Sequence, residues 1–442
     1  MLGRSCGSAI VEEMAHVDSV PGLLRDRAFR HFIASIGCGA FAQRIMMFAV
    51  PMISVYVLHS TELQIGITTA LNTLAVLLFG LPVGVWVDRL SLKPLLIVTG
   101  LARAIAMAAI PVMWLTGWLS FLSLAIVVFL VGTLNLLYET ARHSLLPVLV
   151  GRRRLGAGNA TAAGVHQSLT LSAPSLGGGI VAAIGAPFTL LVSAVGSAVS
   201  SLFLTRVSVR RETHHHSDDP HAIREVSEGL HYVRHHRILR PLLYSDMWLN
   251  LCAAMYTAVH IVYMARTLHA SPTVIGFVLA VAAAGGITGA LVTRHLTRAI
   301  GQGRTLVASL ALLAPFILLL PMIHNDRLVW TVGIGGAGVG FCTIVYNITQ
   351  MTVRQTLTPD FILGRVNATF RVATALTAST GAVVGGAVAA EWGQRSALWA
   401  TGLLALVACL PVAKSAIVRC RDFRVYTRLR PWTPARPTRR DY

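Results

Sequence analysis

Leu155-Gly156-Ala157-Gly158-Asn159-Ala160-Thr161 returns 208 residues later as Leu363-Gly364-Arg365-Val366-Asn367-Ala368-Thr369. The agreement continues on both sides at the same offset. Tyr138 meets Tyr346, Gly177-Gly178 meets Gly385-Gly386, and Gly185 meets Gly393. From residue 138 to 185 about eleven positions match without a gap, where chance in this composition gives about four. A repeat this long points to a duplicated structural unit, with a site expected where the two copies meet.

What surrounds the repeat decides the kind of unit. Mean hydropathy is +0.66, and only 12% of the 442 residues are charged, about half the soluble norm. Too few charges exist to cover a water-facing surface, so the excess apolar surface must meet lipid. A helical crossing needs about 17 to 25 apolar residues. Twelve runs qualify, near 31–58, 65–87, 94–116, 118–141, 156–184, 187–206, 241–264, 273–293, 304–323, 327–353, 363–391 and 395–417. Thr116-Gly117 and Gly185-Ala186-Pro187 read as single turns. The fold class expected is an all-α membrane protein of two six-helix bundles in parallel orientation.

The net charge of +19 lies in short segments between the apolar runs. No basic patch is interleaved with stacking aromatics, which argues against nucleic acid as a partner. With the N-terminus placed in the cytoplasm, about 31 of the 37 basic residues face it. Arg266, Arg327 and Arg395 fall in outside loops, and Arg44, Arg103 and Arg371 fall inside spans. That bias is the positive-inside signature. It implies a multi-pass protein of the cell membrane with both termini cytoplasmic.

The chain then divides into a cytoplasmic N-terminus (1–30), a first bundle (31–206), a cytoplasmic linker (207–240), a second bundle (241–417) and a tail (418–442). Glu12, Glu13 and Asp18 precede the first apolar run, so no cleavable signal peptide is expected. Ile223 to Tyr232 has the pattern of an amphipathic helix on the membrane surface. The Arg- and Pro-rich tail suits contact with anionic lipid heads. The cysteines Cys6, Cys38, Cys252, Cys342, Cys409 and Cys420 lack metal-ligand spacing and read as small apolar filler.

Three stretches narrow the family. After the second span comes Gly84-Val-Trp-Val-Asp88-Arg89-Leu-Ser-Leu-Lys93-Pro94. Gly-x-x-x-Asp-Arg followed by basic residues resembles the signature loop of the major facilitator superfamily, where it acts as a conformational latch between helices. The second half carries Gly289-Ala-Leu-Val-Thr-Arg294, with Thr293 where the acid would stand, so a weaker second latch is expected. The fifth span carries Ala173-Pro174-Ser-Leu-Gly177-Gly178-Gly179, which is similar to the Pro-x-x-Gly-Gly core of the antiporter-helix motif of family exporters. Ala173 replaces the usual preceding glycine. Proline bends a helix and glycine thins it; the resemblance adds export by antiport. Leu24 to Arg30 and Thr358 to Asn367 extend the likeness to the branch holding macrolide-efflux proteins and the enterobactin exporter.

Ionisable and polar residues inside spans mark a cavity or a partner. Candidates for substrate or proton contact are Arg44, Arg103, Glu139, Asp246, Asn250, Arg371, Tyr138 and His166. Glu139 and Arg142 are three apart and can pair. Glu139 and Asp246 are the carboxylates able to carry a proton. Three deep arginines against two acids hint at an anionic or multi-hydroxyl cargo. Gln167, Tyr256, His260, Asn72, Asn135, Asn347 and Gln350 are read as hydrogen-bonding positions between helices. His214-His215-His216 with Asp218, Asp219 and His221 suits a solvated linker, with a soft metal as the alternative.

The function expected is secondary active transport by alternating access: proton-coupled efflux of small amphipathic compounds such as a drug, antibiotic or siderophore. The alternatives are uptake of a small nutrient or metabolite, or metal-ion export. No cofactor is implied, membrane lipids are the surroundings, and a monomer is expected. No His-Glu-x-x-His pair, nucleophile elbow or Gly-x-x-x-x-Gly-Lys-Ser/Thr loop is present, which argues against an enzyme or an ATP-driven pump.

Overall fold

Several helices begin at a local signal. Asp26 accepts the Ala28 N–H at 2.8 Å and starts α1 (Arg27–Tyr56). Thr61 and Gln64 form a reciprocal capping box at the head of α2 (Glu62–Arg89). Ser271 accepts from Val274 N–H, with Pro272 in the first turn of α8 (Pro272–Ile300). Gly185 and Gly393, matched in the repeat, sit at φ 82° and 83° and open α6 (Ala186–Thr205) and α12 (Gln394–Ala408). A side chain is disfavoured at that angle, so these two glycines are demanded by the turn. The computed structural model describes residues 23–208, 222–323 and 329–419.

The remaining long helices are α3 (Leu92–Leu115), α4 (Phe121–Gly151), α5 (152–184), α7 (Leu239–Val262), α9 (Gln302–Leu319), α10 (Val329–Leu357) and α11 (Asp360–Trp392). A π-turn, Tyr263–Thr267, prolongs α7. There is no strand among the described residues. Eleven helices there are long and apolar enough to cross a membrane. A twelfth long helix is α5, whose sequence carries His166, Gln167, Ser168, Thr170, Ser172 and Ser175 among its apolar residues. Val98, Ile105 and Val112, seven apart on α3, are exposed in a line that suits contact with lipid tails.

The expected loop between residues 141 and 156 is a correction. Helix α4 runs on to Gly151, where φ 73° and ψ 160° break it from α5. The reason is burial: Leu145, Leu146 and Val150 close the base of the first bundle. Residues 222 to 235 of the linker form the expected amphipathic helix (Ala222–His235). It lies against α11, with Glu228 bonded to Arg365.

Helices α1–α6 pack mainly among themselves, as do α7–α12, and the two halves join through α2 with α11 and α5 with α8. The apolar core is divided unequally. Near the α1–α2 and α7–α8 loops one cluster spans both halves, holding Met52 and Ile53 of α1 beside Val259 and Val262 of α7. At the opposite end two clusters stand apart. One belongs to the first half (Phe29, Phe32, Leu96, Leu145). The other belongs to the second (Leu239, Leu306, Val353, Phe370).

Candidate functional site between the two halves

A cavity of about 420 Å³ lies between α1, α2, α4, α7 and α11. Arg44, Asn72, Thr73, Asn250 and Thr257 supply its polar wall, and Met46, Met47, Val50, Ile65 and Val128 its apolar wall. That mixture suits a compound with one apolar and one polar face.

Four glycines draw the halves together on the two flanks of this cavity. On one, α5 crosses α8 so closely that a Cβ on Gly178 would stand 2.9 Å from Gly276 Cα and 2.8 Å from Pro272 O. On the other, α11 crosses α2, and a Cβ on Gly386 would stand 2.9 Å from Gly66 Cα and 2.7 Å from Glu62 O. The glycine before each packs inside its own half, Gly177 on Phe48 and Gly385 on Met255. Each Gly-Gly pair therefore serves one neighbour at home and one across the seam. Thr73 and Ser379 add a hydrogen bond of 2.9 Å between α2 and α11.

The end bearing the α1–α2 and α7–α8 loops is clasped. Arg266 donates to Glu62 at 2.8 Å and to Ser60 O at 2.6 Å. Gln394 donates to the same Glu62 oxygen at 2.9 Å, and Tyr56 Oη donates to Ala270 O at 3.0 Å. Glu62 and Gln394 are not among the residues that the sequence marks out, because a short loop with one acid looks unremarkable. A signal existed: Leu58-His59 and Ile65-Gly66 return as Leu268-His269 and Ile275-Gly276 at an offset of 210. His59 and His269 both adopt φ near 46°.

Several expected cavity residues lie elsewhere. Arg103 is fully buried inside the first half. It donates to Asn135 Oδ1 (3.1 Å), Ser197 Oγ (3.3 Å) and Gly39 O (3.4 Å), and its guanidinium covers the Tyr138 ring. Tyr138 Oη in turn meets Ser35 and Ser200 at 3.1 Å. These two residues tie α1, α3, α4 and α6 together; a buried arginine is tolerable because neutral acceptors surround it. Asp246 and Asn250 separate as well. Asn250 faces the cavity, while Asp246 turns into a pocket of about 380 Å³ with Arg354, Asn367, Phe370 and Arg371. Gln350 Nε2 donates to its carboxylate at 3.4 Å.

Glu139 pairs with Arg142 through two bonds, and His143 stands 3.9 Å away. His166 of α5 lies within electrostatic range of Arg44, Glu139, Arg142 and His143. His143 lies within range of Arg371 on the other half. A second, more apolar cavity of about 390 Å³ is lined mainly by the second half, with Thr170 of α5 on its wall, and lies beside Tyr256 and His260. Their rings stack at 4.6 Å, and His260 Nδ1 sits 2.9 Å from Tyr256 O, a contact within one helix.

In the latch segment, Arg89 is exposed at the end of α2 and Lys93 bonds Thr205 O at 3.0 Å, binding α3 to α6 within one half. The surroundings of Gly84 and the side chain of Asp88 lie outside the described residues, as does the ring of Pro174, though α5 continues as helix through it. Arg294 is exposed, and Thr293 bonds back to Gly289 O, so the position of the missing acid is filled by a self-satisfied hydroxyl. The histidine run at 214–216 lies outside the described residues.

Two six-helix halves about a shared cavity, closed at one end, define a transporter of the major facilitator superfamily. Within it the chain belongs to the transmembrane secretion effector family, whose profile matches residues 23–433. It is similar to the multidrug efflux pump Tap of Mycolicibacterium fortuitum, 26% identical over 70% of this chain and 76% of that one. It is also similar to the enterobactin exporter EntS of Escherichia coli O1:K1 / APEC, 25% identical over 72% of this chain and 75% of that one. Among solved structures, a bacterial homolog to the human lysosomal transporter Spinster, in an inward-facing and occupied conformation, shares the fold. Its TM-score is 0.68 at 14% identity, covering 93% of this chain and 99% of that one.

Proposed function

We propose that this protein exports small amphipathic compounds across the cell membrane by alternating access, driven by protons moving the other way. The observation that carries this reading is the divided core. One end has a single apolar cluster common to both halves, and the other has two clusters, one per half. Such a body opens at the divided end and, by rocking on the glycine crossings, opens at the clasped end instead. With the Lys- and Arg-rich end taken as cytoplasmic, the divided end faces the cytoplasm and the present state reads as inward-open. A cavity facing the cytoplasm is where an exporter collects its cargo. The named efflux pump and exporter among the relatives support the direction, and the amphipathic wall supports the cargo class.

Proton coupling needs a carboxylate that meets water alternately from each side. Glu139 is the better placed, being partly exposed, held by Arg142 and near the cavity residue Arg44. Asp246, buried in its own pocket, is the second candidate. The test is transport in proteoliposomes with an imposed pH gradient. Replacing both residues, Glu139→Gln with Asp246→Asn, is expected to abolish uphill movement while substrate exchange at equal pH persists. Undiminished gradient-driven transport in the double variant rules out proton coupling through these groups.

A further inference from the structure

Charged side chains in the interior mostly have partners. Arg103 is wrapped by neutral acceptors, Arg142 holds Glu139, and Arg266 holds Glu62. Arg44 and Arg371 differ. Arg44 lines the cavity between the halves, and Arg371 faces the open polar pocket beside Asp246. Among the described residues neither guanidinium makes a hydrogen bond or stands within 4 Å of a carboxylate. They are linked through their neighbours: His166 lies in the field of Arg44, and His143 in the field of Arg371. A row of basic groups thus runs from α1 through α4 and α5 to α11, crossing from one half to the other. With the charged neighbours in the pocket of Arg371 included, four arginines (44, 142, 354, 371) against two carboxylates (139, 246) leave a formal surplus of two positive charges before either histidine is counted.

A guanidinium at membrane depth is costly where the surrounding side chains carry more positive than negative charge. The arrangement also sets like charges on the two halves at the end that must close, and that repulsion opposes closure. An anion lying between them removes both penalties at once and favours the closed form over the open one, which is the differential affinity that drives a conformational change. We propose that Arg44 and Arg371, with His166 and His143, form an anion site. The cargo carried by this cavity is then an organic anion whose carboxylate, sulfonate or similar group sits on that row while its apolar body rests on Met46, Met47 and Val50. This rests on reading the cavity as a transport cavity.

The test uses fluorescein and rhodamine 123, which share a xanthene ring and carry opposite charge at neutral pH. The full-length protein is placed in phosphatidylcholine bilayers. Binding is followed by fluorescence anisotropy, and transport by counterflow. Fluorescein is expected to bind at least about tenfold more tightly than rhodamine 123. Arg44→Gln and Arg371→Gln are each expected to weaken fluorescein binding by about tenfold, with thermal stability retained. Arg44→Lys and Arg371→Lys should restore most of the affinity. They also keep the test open if a glutamine variant fails to fold. Rhodamine 123 binding as well as or better than fluorescein overturns the proposal, as does fluorescein binding that survives both glutamine substitutions, or no binding of either dye. Loss of fluorescein binding on adding phosphatidylglycerol assigns the site to a lipid headgroup and also overturns it. Fluorescein bound through both arginines but never transported upholds the anion site and sinks the exporter reading instead.

Discussion

Tyr56 at the end of α1 and Arg266 at the end of α7 occupy the same place in the two copies, 210 residues apart. Each reaches across to a loop carbonyl of the other half, Tyr56 to Ala270 O and Arg266 to Ser60 O, and those acceptors are also 210 apart. The geometry of closure is therefore older than the difference between the halves. The chemistry has since parted: tyrosine makes one neutral bond, while arginine adds Glu62, which also holds Gln394. A twofold frame with unequal arms lets one arm carry strength while the other supplies only fit.

The glycine crossings remain the symmetric part, and breaking them should have the largest effect. Gly178→Val and Gly386→Val each place new atoms against backbone, which cannot swing aside as a side chain can. Overpacking of that kind costs up to about 3 kcal/mol, which is about a hundredfold in the ratio of clasped to unclasped forms. Both variants should lose transport almost completely and to a similar degree. Nitroxides on exposed Trp118→Cys and Trp392→Cys, in a background without the native cysteines, should report a longer distance in both. A large loss in one variant with normal behaviour in the other contradicts the equivalence of the two seams.

The arms of the clasp should separate where the seams agree. Arg266→Ala removes a charge-assisted pair that is mostly shielded from water, worth about 1 to 2 kcal/mol. Tyr56→Phe removes one part-exposed neutral bond, worth about 0.5 kcal/mol. The same nitroxide pair should widen clearly in the first variant and barely in the second. Equal widening would mean that Glu62 contributes nothing beyond the carbonyl contact.

Much of this was readable from the chain alone. Spans, the internal repeat and the family follow from local apolar length and from identities at a fixed offset, both of which survive without three-dimensional knowledge. The first bundle's extra turns after residue 141 were hidden because Arg142, His143 and the arginines at 152–154 mark a loop by charge. Only Leu145, Leu146 and Val150, buried from below, show that the helix continues. Site residues were harder for a related reason. A polar residue on an apolar helix announces that it needs a partner, not which side it faces. Arg103 and Tyr138 turned inward to Asn135, Ser35 and Ser200, whereas Arg44, with an identical local signature, turned to the cavity. Gly66 and Gly276 announced nothing by themselves; their meaning lies in Gly386 and Gly178 across the seam.

The smallest expected effect tests how the two bundles are started. Asp26 caps α1 with a carboxylate. Residue 236, again 210 further on, is a histidine whose Nδ1 accepts from Ile238 N–H at 3.2 Å and Leu239 N–H at 3.1 Å. The two halves thus use the same position for the same purpose, with different acids and bases. An imidazole can serve only while Nδ1 is bare. Burial, which penalises the charged ring, holds His236 below the ordinary histidine pKa. The unfolded chain therefore binds a proton at a higher pH than the folded one, so the contribution of this cap is complete above about pH 6.5 and declines as the pH falls through the lowered folded value. Loss of such a cap costs about 1 kcal/mol. His236→Asp should keep the cap and reduce that part of the acid sensitivity, while His236→Ala should lower the melting temperature at neutral pH and flatten the same pH dependence. Melting curves by tryptophan fluorescence between pH 5 and 8 would decide it, and a wild-type slope left unchanged in both variants would show that the second bundle does not depend on this imidazole.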